Sequence, residues 1–130
     1  MALTIWHNPR CSKSRATLAL IEAAGGEPAV RRYLDDPPSP AELEAALVAL
    51  GLEPWELART GEPLAAELGL AELPRDAGAR DRWIAILSSN PRLIERPVVI
   101  ADDGRAVLGR PPENVAVLLG SRRDPGRAKT

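Results

Sequence analysis

The apolar and polar positions of the chain change period several times, and each change marks an element. Residues 2–6, "ALTIW", form a short apolar run closed by the breaker pair Asn8-Pro9, which predicts a buried strand. From Ser12 the stretch "SKSRATLALIEAAGG" places Leu18, Ile21 and Ala24 on one face, is built of good helix formers and stops at Gly25-Gly26. That spacing predicts a helix over 12–24 with Cys11 at its N-terminus. Residues 28–34, "PAVRRYL", read as a second strand. Two strands separated by a helix give a right-handed βαβ crossover with parallel strands.

Downstream, "DDPPSPAELEAALVALG" (35–51) carries a helix start: Ser39 as N-cap, Pro40 in the first turn and Glu42 as the capping-box partner. Leu43, Leu47 and Leu50 supply its buried stripe and Gly51 its stop. Residues 54–90 read as helical pieces, "PWELART", "PLAAELG" and "AGARDRWIAILSS", the last with Trp83, Ile84 and Leu87 at helical spacing, and contain no strand candidate. Beyond Pro91 the period returns to two. "RPVVI" (96–100) and "RAVL" (105–108) flank Asp102-Asp103-Gly104, a strong hairpin turn. "PPENVAVLLG" (111–120) starts with prolines suited to a helix, keeps Val115, Leu118 and Leu119 on one side and ends in Gly120.

The resulting order is βαβ, a helical block, then ββα. This predicts an α/β protein with a thioredoxin-like four-stranded mixed sheet and a helical insertion, about 39–90, between its halves. One domain over 1–120 and a loose tail over 121–130 are expected. At 130 residues, a single domain buries enough surface to fold without staples.

Composition narrows the function. The chain is 45% hydrophobic and 27% charged, with no run long enough to span a bilayer and no signal-peptide layout in "MALTIWHNP", so a cytoplasmic protein without a membrane partner is expected. A net charge of -1 argues against a nucleic-acid partner. Of 17 basic residues only Lys13 and Lys129 are lysine; the other 15 are arginine, which dilutes the meaning of any one arginine. One cysteine excludes an internal disulfide, and one cysteine with one histidine cannot complete a structural zinc site, so no metal is expected. With no heptad or surplus apolar face, a monomer is expected.

That one cysteine and one histidine fall within "WHNPRCSKSRATL", residues 6–18. A lone cysteine is commonly a buried, inert small hydrophobe, and His7 alone would read as a packed or surface ring. Position supports a second reading for Cys11. A free thiol has a pKa of roughly 8.5 and is only slightly ionised at neutral pH. At a helix N-terminus, unpaired N–H groups and the dipole favour the thiolate. Arg10, Lys13 and Arg15, with His7 if protonated, add positive charge nearby. Cations at that helix end oppose the dipole, a placement that an anion beside them would explain. The same groups suit a tetrahedral oxyanion such as phosphate, sulfate or arsenate. Two mechanisms are excluded by spacing. Ser14 stands where a Cys-x-x-Cys pair needs its second thiol, and Thr17 where a phosphatase-type loop needs arginine. The thiol must be regenerated by an outside partner.

"HNPRCSKSR" after a first strand, "RPVVI", and "GRPPENV" near the end together resemble the glutaredoxin-linked arsenate reductase (ArsC) family, whose relatives include the Spx-type regulators. The resemblance runs to about Gly120 and implies the same thioredoxin-like fold with a helical insertion. It implies that Cys11 attacks arsenate, that glutathione, a co-substrate and not a tightly bound cofactor, displaces the adduct, and that glutaredoxin completes the reduction and release of arsenite. It makes Cys11 the nucleophile and His7 the neighbour that helps keep it ionised. Asn8, Arg10, Ser12, Lys13, Ser14 and Arg15 become the supporting loop, and Arg59, Arg96 and Arg110 the oxyanion-binding arginines. Guanidinium forks suit such an anion. Pro97 matches the position of the fold's cis proline. Arg10 and Lys13 depart from the smaller or neutral residues common beside the family's cysteine. Two further readings come with the resemblance: an Spx-like regulator that binds RNA polymerase without catalysis, and a glutathione-linked reductase of another oxyanion or disulfide. Ser14 weakens the first, because the redox switch of those regulators uses two cysteines.

Overall fold

The computed structural model describes residues 2–122 and divides into two compact units, one formed by 2–32 with 96–122 and one by 33–95. The first unit carries a four-stranded sheet of β1 (Leu3–Trp6), β2 (Ala29–Arg31), β3 (Val98–Ala101) and β4 (Ala106–Leu108), in the order β2-β1-β3-β4. β1 pairs in parallel with β2, Ile5 opposite Val30, and antiparallel with β3, Ile5 opposite Val99. β3 pairs antiparallel with β4, Val99 opposite Val107. This is the mixed sheet of a βαβ unit followed by a hairpin, the thioredoxin-like α/β arrangement.

Helix α1 (Ser12–Ala23) crosses from β1 to β2. Its buried face is Ser14, Thr17 and Ile21, with Leu18 half-buried; Ala24 is exposed and forms the C-cap, so the apolar stripe is shorter than the spacing predicts. Two of these three positions are polar because the N-terminal half of the helix packs on loops, not on the apolar sheet. Ile21 joins Leu3, Ile5, Val99, Ala101, Val115, Leu118 and Leu119 in the core. The leucine, isoleucine and valine side chains among these contribute about 1.5–3 kcal/mol each when fully buried. Residues 112–115 start as a 3-10 turn and continue as α6 (Ala116–Arg122). The helix therefore passes Gly120 instead of stopping there, and takes the first two residues of the expected tail; 123–130 lie outside the described residues.

The strands are trimmed relative to the sequence reading. The second keeps only Ala29–Arg31, and the third begins at Val98 because Pro97 has no N–H for a ladder.

The 33–95 unit holds α2 (Pro40–Leu50), α3 (Pro54–Leu57), α4 (Pro63–Glu67) and α5 (Arg80–Ser89). α2 begins with the expected capping box: Glu42 N–H donates to Ser39 Oγ at 3.1 Å, and Ser39 N–H to Glu42 Oε1 at 2.9 Å. It ends on Gly51 at φ 70°, a left-handed cap that favours glycine. Leu43, Ala46 and Leu47 are buried, whereas Leu50 is only half-buried. Trp83 is fully buried, donates Nε1–H to the Pro74 carbonyl at 2.7 Å and meets Trp55 edge-on at 6.1 Å. Arg80 joins α5 to Glu44 and Glu53. Although the block reads as purely helical, Ala58 and Ile94 form an antiparallel bridge, flanked by Arg59 N–H to Leu93 O at 2.7 Å and Glu95 N–H to Leu57 O at 2.8 Å.

Candidate active site

Between β1 and α1 the chain makes a tight loop whose polar groups are accounted for one by one. His7 N–H donates to the Arg31 carbonyl at 2.7 Å, which anchors the loop to β2. Asn8 closes a turn: its side-chain Oδ1 accepts from Arg10 N–H at 3.0 Å and its carbonyl from Cys11 N–H at 3.0 Å. Arg15 returns from the helix to donate Nη1–H to the Pro9 carbonyl at 2.9 Å. At the centre sits Ser14, fully buried, whose Oγ accepts from Asn8 N–H at 3.0 Å and lies 2.7 Å from His7 Nδ1.

Those bonds decide the state of His7. Burial first, then the charges of Arg32 and Arg15, lower its pKa against a smaller raising effect of Glu22. His7 is therefore neutral at physiological pH. It does not add the positive charge anticipated from its proximity, since the ring is buried among cations. With Asn8 N–H already given to Ser14 Oγ, the serine proton goes to Nδ1 and the His7 proton resides on Nε2, a tautomer assigned from the bonding network. His7 and Ser14 hold the loop; they supply no charge to it.

Cys11 is the N-cap of α1, in extended conformation at φ -96° and ψ 123°, with its carbonyl accepting the first helical bond from Arg15 N–H at 3.0 Å. It is buried, with 9% of its surface exposed. Burial raises its pKa, but the Ser14 N–H, the charge of Arg96, the Lys13 N–H and a hydrogen bond from Arg96 outweigh it, and the net direction is down. The Cys11 side chain makes no cap hydrogen bond; the helix N–H groups and Arg96 favour its anion.

The cation acting on the sulfur is thus Arg96, far away in sequence. Arg10, Lys13 and Arg15 are exposed, as is Ser12. Arg96 and Arg110 are half-buried in the same unit as Cys11, and Arg110 Nη1–H donates to the Arg96 carbonyl at 3.4 Å. Both precede cis prolines, Arg96–Pro97 and Arg110–Pro111. The second cis bond has no counterpart in the sequence reading. Arg59 lies in the other unit, where its guanidinium contacts Glu62 at 2.9 Å and Glu95 at 3.9 Å and donates to the Arg92 carbonyl at 3.3 Å. Among the described residues there is no cluster of three or more metal-ligating side chains, and no helix is long and apolar enough to cross a membrane.

A mixed β2-β1-β3-β4 sheet, with a lone thiol at the N-cap of the first crossover helix, defines a thioredoxin-like α/β protein. Residues 6–118 match the model of the ArsC family, and the chain belongs to that family. It is 52% identical over 117 residues to an uncharacterised protein in the glnII region of Streptomyces viridochromogenes, covering 90% of this chain and 98% of the other. It is 42% identical over 118 residues to an arsenate reductase of Neisseria meningitidis serogroup A, covering 90% and 97%. Among solved structures it is similar to the arsenate reductase from Vibrio cholerae, with a TM-score of 0.82 and 44% identity over 89% of this chain and 96% of that one.

Proposed function

We propose that the protein is an oxidoreductase of the arsenate reductase type, with Cys11 as nucleophile and a thiol pair, glutathione and glutaredoxin, as reductant. The observation that carries this reading is Cys11 at the N-cap of α1, with helix N–H groups and Arg96 favouring its thiolate. The likeness to arsenate reductases of Neisseria meningitidis and Vibrio cholerae supports the choice of oxyanion.

The Cys11 thiolate displaces one oxygen of arsenate, which leaves as water after protonation, and forms an S–As(V) bond. Donors that favour one anion here, the Ser14 and Lys13 N–H groups and Arg96, are suited to the charge that collects on the oxyanion as the bond forms. Arg110 adds a second forked donor beside Arg96. The glutathione thiol then supplies the second sulfur: As(V) accepts an electron pair and leaves as arsenite, As(III), while Cys11 and glutathione are joined in a disulfide. Glutaredoxin, a dithiol donor, takes over the glutathione sulfur and returns Cys11 to the thiolate. The chain has no second thiol, so an external one is a requirement of the balance. Arg59 carries the family's third anion-binding assignment.

The test is arsenite production from arsenate with glutathione and a glutaredoxin, with phosphate, sulfate and a small disulfide as alternative substrates. Wild-type protein should turn over arsenate and Cys11→Ser should not; a wild type that shows no arsenite under these conditions overturns the reading.

A further inference from the structure

Thr17 and Gly109 play no part in the chemistry above, yet they occupy the point where three pieces of the site meet. Thr17 is fully buried on α1. Its hydroxyl has two acceptors, the Lys13 carbonyl one turn back at 2.8 Å and the Gly109 carbonyl at 3.3 Å. A single hydroxyl proton serves both, with the nearer bond the stronger. Gly109 N–H in turn donates to the Pro97 carbonyl at 2.9 Å. No side chain fits at 109. A Cβ would overlap Thr17 Oγ1 and lie 2.8 Å from Pro97 Cγ and 3.0 Å from Thr17 Cγ2. Glycine is needed there for close approach, with the backbone of β4's exit pressed between a helix and a proline ring.

What Gly109 touches, and what it adjoins, gives this contact its meaning. The helix on one side has Cys11 as its N-cap. The proline on the other side directly follows Arg96, and the residue after Gly109 is Arg110. Arg110 then reaches back to the Arg96 carbonyl. The backbone anchors of both arginines and the helix of the nucleophile are therefore referred to one packed contact.

The geometry points to Thr17 and Gly109 as a positioning pair whose contact sets the spacing of the Arg96 and Arg110 turns from the Cys11 end of α1, and so the fit of the site to a tetrahedral oxyanion. This deepens the proposed function and rests on it for the identity of the anion. Neither residue touches substrate; each acts through Arg96, Arg110 and Cys11. A purely structural role would predict lost stability with unchanged site chemistry.

The decisive measurement is the pH midpoint of Cys11 alkylation, which needs no substrate. Gly109→Ala must push Thr17 and Pro97 apart, so Arg96 recedes and the midpoint rises toward that of an ordinary thiol. The KM for arsenate should rise about tenfold, the scale expected when aligned groups shift by a fraction of an ångström. Thr17→Ala removes two of the three atoms that the new methyl meets, so the double variant should lie closer to wild type than Gly109→Ala does. Leu118→Ala, a core change outside the site, should lower the melting temperature and leave the midpoint alone. If Gly109→Ala does not fold, Thr17→Val and Thr17→Ser decide: the isosteric valine should raise the midpoint and the serine, which keeps the hydroxyl, should not. The inference is overturned if folded Gly109→Ala, or Thr17→Val in its place, keeps the wild-type midpoint, or if Leu118→Ala moves it equally. A wild type inactive on arsenate would sink the functional reading alone; the alkylation pattern would still judge the pair.

Discussion

Removing the Ser14 hydroxyl should unfasten the loop that carries the thiol. Ser14→Ala deletes Oγ from a fully buried position and leaves two groups without their partner, His7 Nδ1 and the Asn8 N–H. An unsatisfied buried polar group costs about 1–3 kcal/mol. His7 is buried and pays most of that; Asn8 is half-buried, and water can recover part of its share. The sum is roughly 2–4 kcal/mol, a large part of the ~5–15 kcal/mol by which a domain is usually stable. For a domain of this size the melting temperature should fall by on the order of 10 °C. Urea and thermal unfolding followed by circular dichroism measure it, with Ser12→Ala on the exposed face of the same helix as control, expected within about 0.5 kcal/mol of wild type. The Ser14 group acting on the thiol is its backbone N–H, which the variant keeps. If Ser14→Ala proves as stable as Ser12→Ala, the His7–Ser14–Asn8 network does not hold the loop. If stability is untouched while alkylation of Cys11 slows, the hydroxyl has a chemical role in place of the structural one argued above.

Two further outcomes follow from other parts of the molecule. Because the His7 pKa is lowered in the folded chain by burial, Arg32 and Arg15, the unfolded chain binds a proton that the native one refuses once pH drops below about 6.5; stability should decline from there downward, and His7→Asn, which can still accept from Ser14, should flatten that arm in urea titrations at a series of pH values. Trp83→Ala in the 33–95 unit should cost about 3–5 kcal/mol, through a cavity at a fully buried site and the loss of the bond to Pro74; a loss below about 1 kcal/mol by denaturant unfolding would refute its place in that core.

What could be read from the sequence divides along the line between local and distant physics. The α1 start, the Ser39–Glu42 box and the Gly51 stop are contained within a turn or two of chain, and residue types alone reveal them. At the start of α3, Glu53 N–H donates to Glu56 Oε1 at 2.8 Å, half of such a box, but glutamate is too uncommon an N-cap for residue types alone to reveal it. Ser14 and Thr17 were legible only as residues that are not cysteine or arginine. Their partners, His7 across the strand–helix loop and Gly109 at the far end of the chain, have no periodic relation to them. The positive charge on the thiol shows the same limit. Arg10, Lys13 and Arg15 are near in sequence but exposed, whereas Arg96 acts on the thiol through the tertiary fold, and only the family resemblance points to it.

The sheet's outer strands, β2 and β4, are three residues each, and β2 runs directly into Arg31 and Arg32. So short an edge offers an incoming strand a couple of backbone pairs at most, and its charged end discourages even those. Strand addition is disfavoured at both edges of this sheet as described. The glutaredoxin proposed above would then dock on loops and helix ends, the kind of surface that tolerates change more readily than a sheet does.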